Sequence, residues 1–253
     1  MPYIDWFSAE DIYAGTSLRD NTREENNDMS LKSSDNPKAV INNRKALMKE
    51  LHHNLDFCCF AHQSHSDHIH KVTKEDIGAG CYSDKDAIQD CDALYTRELG
   101  VLLGVFSADC VPILIWDPEQ HIIAAIHAGW RGTVKEITKK VLDTLIYEED
   151  CNPAELRCYI GPAIDFFSFE VDKDVIDEVK KMSFDTTKFY MKKDNGKYLV
   201  DNKRLNMQMM LDAGVLDTNI FMHHGDTFEN DEDYFSYRRD HKTNCHMSFI
   251  LQK

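Results

Sequence analysis

Hydrophobic residues are concentrated in three short runs near the middle of the chain, at residues 101–106, 111–116 and 122–126. Val, Ile and Leu dominate these runs, and short polar segments separate them. This composition is typical of strands that are buried on both faces rather than of surface ribbons. The pattern therefore predicts three central strands around which the chain is organised.

The third run leads into a glycine-containing turn and then into a predicted helix. Gly129 and Gly132 allow close backbone approach, and Thr133 is expected to cap the helix. The apolar residues of that helix recur with the helical period at Val134, Ile137, Val141 and Leu145. Arg131 lies beside a strand, a turn and a helix N-terminus, an arrangement that predicts a binding site for a phosphate or carboxylate. The alternative is that Arg131 forms a surface ion pair.

The flanking segments predict further strands and helices. Pro37 suits the first turn of a helix capped by Asn36 or Asp35, and Arg44 interrupts the otherwise apolar stripe of this helix. Other helices are expected at 175–179 and at 205–213, where Gly214 ends the second. Strands are expected within residues 1–19 and at 57–61, 156–160, 166–171, 189–192, 198–200, 220–223 and 248–251.

The length and the net charge of the chain limit its possible domain organisation and function. The 253 residues are enough for one large domain or for two fused subdomains. The 29 basic and 44 acidic side chains give a net charge of −15, and such a field repels phosphate backbones, which argues against a general nucleic-acid binder. An anionic substrate would need a local positive pocket, so single arginines become informative.

Targeting signals are not evident in the sequence. The N-terminal residues have neither the basic nor the apolar region of a signal peptide, and no run has the length needed to span a bilayer. The eight cysteines show no CxxC spacing and no regular framework. Reduced thiols and a cytoplasmic location are therefore expected.

A thiol and several imidazoles are candidate metal ligands. Cys110 and His127 each lie at the end of a predicted strand, and four histidines occur within residues 62–70. Each has an ordinary structural alternative: a buried thiol, a core histidine or solvated loop residues. Together they offer a His₂Cys set for zinc with the fourth position open, which is the ligand count of a catalytic rather than a structural site. Spacing alone does not choose among the four histidines.

Arg238 and Arg239 belong to an aromatic and basic segment, residues 234–240, in an otherwise acidic protein. They are candidates for anion binding, with surface ion pairs as the alternative. The H-x-E and P-C-x-x-C motifs of the zinc nucleoside deaminases do not occur in this sequence.

Six motifs in order support a family resemblance. The chain resembles the YfiH-type laccase-domain proteins, first called multicopper polyphenol oxidases and later assigned as purine nucleoside phosphorylases. The resemblance extends from about residue 17 to the C-terminus. The motifs are Gln63-Ser64-His65, Asp92-Ala93-Leu94-Tyr95-Thr96, Ser107-Ala108-Asp109-Cys110-Val111-Pro112, His127-Ala128-Gly129-Trp130-Arg131-Gly132, Ile160-Gly161-Pro162 and Phe235-Ser236-Tyr237-Arg238-Arg239-Asp240.

This resemblance implies a single α+β domain over residues 1–253, with mixed β-sheets and flanking helices. It implies phosphorolysis of adenosine, inosine, guanosine and methylthioadenosine, together with deamination of adenosine. It also implies zinc, with copper as the other metal to consider, and selects His65, Cys110 and His127 as metal ligands and catalytic residues. Among the arginines, Arg131 is the first candidate for binding phosphate and Arg238 the second.

Several positions depart from the family pattern. Ser66 stands where the Q-V-H-G motif has glycine, and the polar segment 20–27 replaces a glycine-rich one. Asp226-Thr227 stands where Cys-Thr is common, and Thr243-Asn244-Cys245 replaces a late T-G-R, so that its arginine is missing. These changes bear on substrate contacts.

Two other functions remain open from the sequence. A copper-dependent polyphenol oxidase would require several coppers, whereas the chain offers one candidate His₂Cys set. A catalytically silent binding module is compatible with the missing late arginine, although His65, Cys110 and His127 are all retained. Nucleoside consumption with and without phosphate tests the enzyme interpretation, because phosphorolysis needs phosphate and deamination does not.

Overall fold

A computed structural model describes residues 3–9, 11–32, 34–242 and 244–253 of the chain. Thr243, which belongs to the departing late motif, lies outside these residues, as do Met1, Pro2 and Glu10 of the N-terminal segment. None of the described helices is both long and apolar enough to cross a membrane.

The described strands are concentrated before residue 129, and strands and helices are interspersed after it. The strands are β1 (Tyr3–Ala9), β2 (Ile12–Ser17), β3 (Cys58–Phe60), β4 (Ile69–Lys71), β5 (Ala93–Thr96), β6 (Leu102–Ser107), β7 (Val111–Asp117), β8 (Ile122–Ala128), β9 (Arg157–Ile160), β10 (Glu170–Val171), β11 (Tyr190–Lys192), β12 (Tyr198–Val200), β13 (Ile220–Met222) and β14 (His246–Gln252). The helices are α1 (Pro37–Glu50), α2 (Trp130–Val134), α3 (Ile137–Tyr147), α4 (Lys173–Val179), α5 (Asn202–Asp212) and α6 (Tyr237–Asp240).

Two large mixed sheets form the centre of the molecule. One has the strand order β1-β2-β14-β6-β3 and the other β13-β9-β7-β8-β5-β4. Side chains such as Leu103, Ile250, Leu114 and Ile123 pack between them in one apolar cluster. The first sheet is covered on its other face by α1, and the second by α3 and α5. The layers are thus helix, sheet, sheet and helix, in agreement with the predicted α+β class; that residues 1–253 form a single domain stays a prediction.

Helix α1 begins as its sequence predicts. Asn36 is the N-cap, because its side chain accepts a hydrogen bond from the backbone N–H of Ala39, and Pro37 occupies the first helical position. The apolar stripe packs against the first sheet, with Leu47 and Met48 each 1% exposed. Arg44, the polar interruption of that stripe, is equally buried.

Two local predictions are wrong. Thr133 caps no helix: it lies inside the short α2, and the chain then breaks at Glu136, whose backbone is left-handed (φ 61°), before α3 begins. The expected strand 166–171 is reduced to β10. Its first half is a turn, because the Asp226 carboxylate accepts hydrogen bonds from the backbone N–H of Asp165 and the hydroxyl of Ser168.

Candidate active site

Three predicted ligands meet at the ends of the central strands. His65 lies in the loop after β3, Cys110 in the loop between β6 and β7, and His127 near the end of β8. Their ligating atoms all lie within 4.8 Å of one another. His65 Nε2 is 3.8 Å from Cys110 Sγ, and the two imidazole rings are nearly perpendicular, with centroids 4.9 Å apart.

This donor set fits a tetrahedral metal ion. With Zn–S and Zn–N bonds of usual length, adjacent N and S ligands of a tetrahedral zinc lie about 3.6 Å apart, close to the distance between His65 and Cys110. Two imidazoles and one thiolate suit zinc and also copper. Three protein ligands leave one coordination position for a substrate or water.

The other histidines of the loop are engaged elsewhere. His62 is hydrogen-bonded to Asp84 (2.6 Å), and His70 to Asp76 (3.1 Å). His68 approaches Asp90. Among the described residues, only His65 of the four belongs to the group that could hold a metal.

Asp92 orients two of the candidate ligands. Its carboxylate accepts a hydrogen bond from His127 Nδ1 at 2.7 Å, which leaves Nε2 of that ring free for a metal. It also accepts from the backbone N–H groups of Ser64, His65 and Ser66. Wrapping three successive N–H groups around one carboxylate coincides with the left-handed backbone of His65 (φ 61°), a conformation that costs on the order of 1 kcal/mol or more.

Asp92 belongs to the motif Asp92-Ala93-Leu94-Tyr95-Thr96, but its role is not predicted from the sequence. An acidic residue directly before an apolar strand was the available signal, since a fully buried carboxylate must find several donors.

His65, Cys110 and His127 (the trio) and the Asp92 carboxylate are strongly coupled electrostatically. Burial alone would raise the pKa of Cys110, but the charge on His127 and hydrogen bonds from His127 and His65 lower it to about 6. Burial would lower the pKa of His127, but the Cys110 thiolate and Asp92 raise it to about 9. Despite its burial, the pKa of the Asp92 carboxyl lies well below its usual range, chiefly because of His127. Both shifts favour the charged forms, the Cys110 thiolate and the His127 imidazolium.

Gly129 leaves room for the trio. A Cβ atom built there would lie 2.8 Å from Cδ2 of His65 and 3.0 Å from Sγ of Cys110. Its backbone angles (φ −62°, ψ 161°) are open to any residue, so the requirement for glycine is one of space. The predicted close approach at this turn is thereby explained.

A cavity of about 690 Å³ opens onto the trio. Both predicted arginines line it. The Arg131 guanidinium stacks on Trp130, 4.3 Å from the ring centroid, and forms no ion pair within the described part of the chain. Arg238 donates its backbone N–H to the Asp109 carboxylate (2.8 Å) and Nη1 to the carbonyl of Ser168 (3.2 Å).

Arg239 has a structural role instead. Its guanidinium donates to the carbonyls of Thr227, Phe228 and Tyr234 and pairs with Asp240. The alternative of an ion pair thus holds for Arg239. Arg131, by contrast, is left available to a ligand.

The departures from the family pattern are accommodated locally. Ser66 donates both its backbone N–H (2.7 Å) and its hydroxyl (2.8 Å) to Asp92, so the replacement of glycine adds a donor to the turn. Asp226 organises the turn that follows Asp165, as described above. Cys245 lines the cavity and donates its backbone N–H to Asp28.

The chain is similar to a known family of proteins along most of its length. Residues 15–253 match the family described as multi-copper polyphenol oxidoreductase laccase. The chain belongs to this family. The laccase-like family includes curated relatives named for a different chemistry: the purine nucleoside phosphorylase YlmD of Bacillus subtilis is 32% identical over 215 residues, covering 85% of this chain and 77% of the relative. The protein of the same name from Geobacillus stearothermophilus is 34% identical over 220 residues, covering 87% and 80%.

Solved structures of the laccase-like family share the whole fold. The hypothetical protein YfiH of Bacillus licheniformis superposes with a TM-score of 0.94 at 32% identity, covering 100% of this chain and 99% of the other. YlmD of Geobacillus stearothermophilus gives a TM-score of 0.91 at 30% identity and covers both chains completely. The family resemblance and the α+β class expected from the sequence are confirmed.

Proposed function

We propose that this chain is a purine nucleoside phosphorylase whose active site is the cavity at His65, Cys110 and His127. The observation that carries the proposal is the convergence of these three side chains at the edge of one large cavity. The names of the relatives support the same reaction class. Its substrates are then a purine nucleoside and inorganic phosphate.

In phosphorolysis, a phosphate oxygen forms a bond to C1′ of the ribose as the bond from C1′ to purine N9 breaks. The electron pair of that bond stays on the purine, which takes up a proton, and the products are ribose 1-phosphate and the free base. Because positive charge develops on the ribose and negative charge on the base, positioning and electrostatics supply most of the rate. Arg131 and Arg238 are proposed to bind the substrates, with Arg131 the sequence-based candidate for phosphate.

The finer proposal concerns the metal and the range of substrates. A zinc ion on these ligands would supply Lewis acidity and lower the pKa of water to roughly 7, which suits deamination of adenosine. Asp92 would keep His127 in the ligating tautomer, and Gly129 would keep the space for the ligands open. Adenosine, inosine, guanosine and methylthioadenosine are the proposed nucleosides. A cytoplasmic location, expected from the sequence, is compatible with eight free cysteines.

The decisive variant is Cys110→Ala. It removes a ligand or reacting thiol, so release of hypoxanthine from inosine in phosphate buffer should fall by at least about a hundredfold. Cys151→Ala is the matched control, because it removes a buried thiol outside the cavity and should keep the wild-type rate. Undiminished phosphorolysis by Cys110→Ala would refute the assignment.

A copper-dependent oxidase is the second candidate, because the family description names that chemistry. Metal analysis of the purified protein and turnover of a phenol with O₂ test it directly. Phosphate-dependent loss of nucleoside without phenol turnover supports the phosphorylase, whereas inactivity in both assays supports a silent binding module.

A further inference from the structure

Arg44 is an unusual side chain for the interior of this protein. It lies on α1 and is only 1% exposed, yet no carboxylate of the described residues lies within ion-pair distance of it. Buried arginines are ordinarily paired with a carboxylate because an isolated buried charge is costly. Burial lowers the pKa of Arg44 to about 10, so the guanidinium keeps its charge at neutral pH.

The guanidinium is held firmly on one side only. Nε donates to the carbonyl of Met29 (2.8 Å), and Nη1 donates to the carbonyls of Gly80 (2.8 Å) and Cys81 (3.1 Å). Nη2 has no hydrogen-bond partner among the described residues. The group is also clamped between two aromatic rings, 4.7 Å from the centroid of Phe60 and 4.6 Å from that of Phe106. The two rings fix the plane of the guanidinium group before a ligand binds.

Arg44 lines the same cavity as the candidate metal ligands. Phe60 and Phe106 belong to the paired strands β3 and β6, whose following loops carry His65 and Cys110. The Gln63 side chain joins the loop after β3 to strand β6, since it exchanges two hydrogen bonds of 2.7 Å with the backbone of Phe106. Arg44 therefore lines the same part of the cavity wall as the strands and loops that carry His65 and Cys110.

A second positively charged side chain, that of Lys32, lies on the same wall of the cavity as Arg44. Lys32 lines the cavity and donates its ammonium group to the carbonyl of Gln63. The acidic residue of the wall, Asp84, is already hydrogen-bonded to His62. A tetrahedral oxyanion here would meet a preorganised guanidinium and an ammonium group.

The wall beside Arg131 is different. Trp130, on which Arg131 stacks, packs against the apolar cluster that contains Val171 and Val175. The same segment lines the cavity with Glu170, Asp172 and Asp174. Glu170 is paired with Lys193 and Lys197, and Asp172 with Lys197, whereas Asp174 has no ion pair among the described residues. An anion bound there would face the unpaired Asp174 carboxylate, which favours the neutral nucleoside over phosphate on this side.

We propose that Arg44 is the anion-binding residue of this cavity and that its ligand is inorganic phosphate. The inference rests on the proposed phosphorolysis for the identity of the anion, and it moves phosphate from Arg131 to Arg44. Lys32 assists from the rim, and the nucleoside lies on the side of Arg131.

Arg44→Lys tests the role of the fork in the metal-loaded full chain. The variant keeps a positive charge but loses the planar donor edge, so the KM for phosphate in inosine phosphorolysis should rise roughly tenfold or more, while the KM for inosine changes far less. Arg157→Lys is the matched control, because Arg157 also lies over two aromatic rings, those of Phe7 and Trp116, but does not line the cavity. It should change neither KM.

A second measurement needs neither activity nor a variant. Wild-type crystals soaked with tungstate, a tetrahedral oxyanion located by its anomalous scattering, should show tungsten beside the Arg44 guanidinium. Tungstate at Arg131 instead, or none in the cavity, overturns the inference, as does an unchanged KM for phosphate in Arg44→Lys. If the wild-type protein fails to phosphorolyse inosine, the proposed function fails, and tungstate at Arg44 still supports the anion site.

Discussion

The most informative single substitution is Asp92→Asn, because one carboxylate holds both imidazole ligands. An asparagine has nearly the same shape but only one oxygen. If that oxygen faces His127, the amide NH₂ is turned toward the backbone N–H groups of Ser64 and Ser66, which lose their acceptor. If the NH₂ faces His127 instead, the ring must carry its proton on Nε2 and can no longer bind a metal through that atom.

The size of the effect follows from these two arrangements. Outer partners of metal-bound histidines typically contribute 10- to 100-fold in metal affinity, so zinc affinity should fall by about that factor, or about 1.4–2.8 kcal/mol. Each buried donor left without an acceptor costs about 1–3 kcal/mol, and Asp92 is fully buried. The metal-free variant should therefore also unfold more readily, by about 2 kcal/mol.

Zinc affinity is measured by competition with a chromophoric chelator, and stability by urea unfolding of the metal-free protein. Asp117→Asn is the matched control: Asp117 is 1% exposed, and its Oδ1 accepts the backbone N–H groups of Glu119 and Gln120, an interaction that asparagine preserves. It lies at the opposite end of β7 from Cys110 and should leave zinc affinity unchanged. Wild-type zinc affinity in Asp92→Asn would refute the view that this carboxylate sets the ligand tautomer.

Three further outcomes are expected. Gly129→Ala places a methyl group 2.8 Å from His65 and 3.0 Å from Cys110. Zinc affinity, measured in the same chelator competition, should therefore fall at least about tenfold. An unchanged affinity would show that His65 and Cys110 can move away from residue 129 and still bind the ion. Zinc affinity should rise between about pH 6 and about pH 9, because metal binding displaces the proton that His127 keeps up to about pH 9. Calorimetry in buffers of different ionisation enthalpy should detect about one proton released per zinc bound at pH 7. If no proton is released, the pKa of His127 is not raised. Finally, burial lowers the pKa of His246 to about 4, although its hydrogen bonds with the backbone of Ser17 and Phe235 oppose the shift. The unfolded chain therefore binds an extra proton below about pH 6.5, and stability should fall by up to about 3 kcal/mol between pH 6.5 and 4. Urea unfolding of His246→Asn should show a smaller loss over this range.

Much of the fold is visible in the sequence because buried strands and amphipathic helices leave periodic patterns. The central strands agree with β6, β7 and β8 within about two residues at each end. The wrong predictions lie where tertiary contacts override local preference. Nothing near Thr133 reveals that Glu136 adopts a left-handed backbone, and nothing in the strand-like segment 166–171 reveals that a carboxylate sixty residues later folds it into a turn.

The sequence and the family resemblance predict that His65, Cys110 and His127 come together, and they do; their role as ligands stays a prediction, and the residues that support them are not predicted. His65 was chosen over its neighbours by the family resemblance, since spacing could not reveal which histidines were paired with nearby aspartates. Asp92 and Arg44 were missed as functional groups because a sequence does not show burial. In the sequence, both are charged residues within or beside an apolar pattern. Such a residue is expected to have a functional or structural role when its position in the pattern predicts that it is buried.

The family description and the names of the relatives point to different chemistries, and the geometry favours the second. A multi-copper oxidase must hold several copper ions. Within the described residues, His65, Cys110 and His127 are the one group of three or more ligating side chains that could hold a metal, and the histidines nearest to it are hydrogen-bonded to aspartates. One ion held by these three ligands, in a large cavity lined by arginines, would suit the binding and polarisation of an anionic or nucleoside substrate. The proposed group transfer would need no electron transfer between metal ions, whereas multi-copper oxidation of a phenol would.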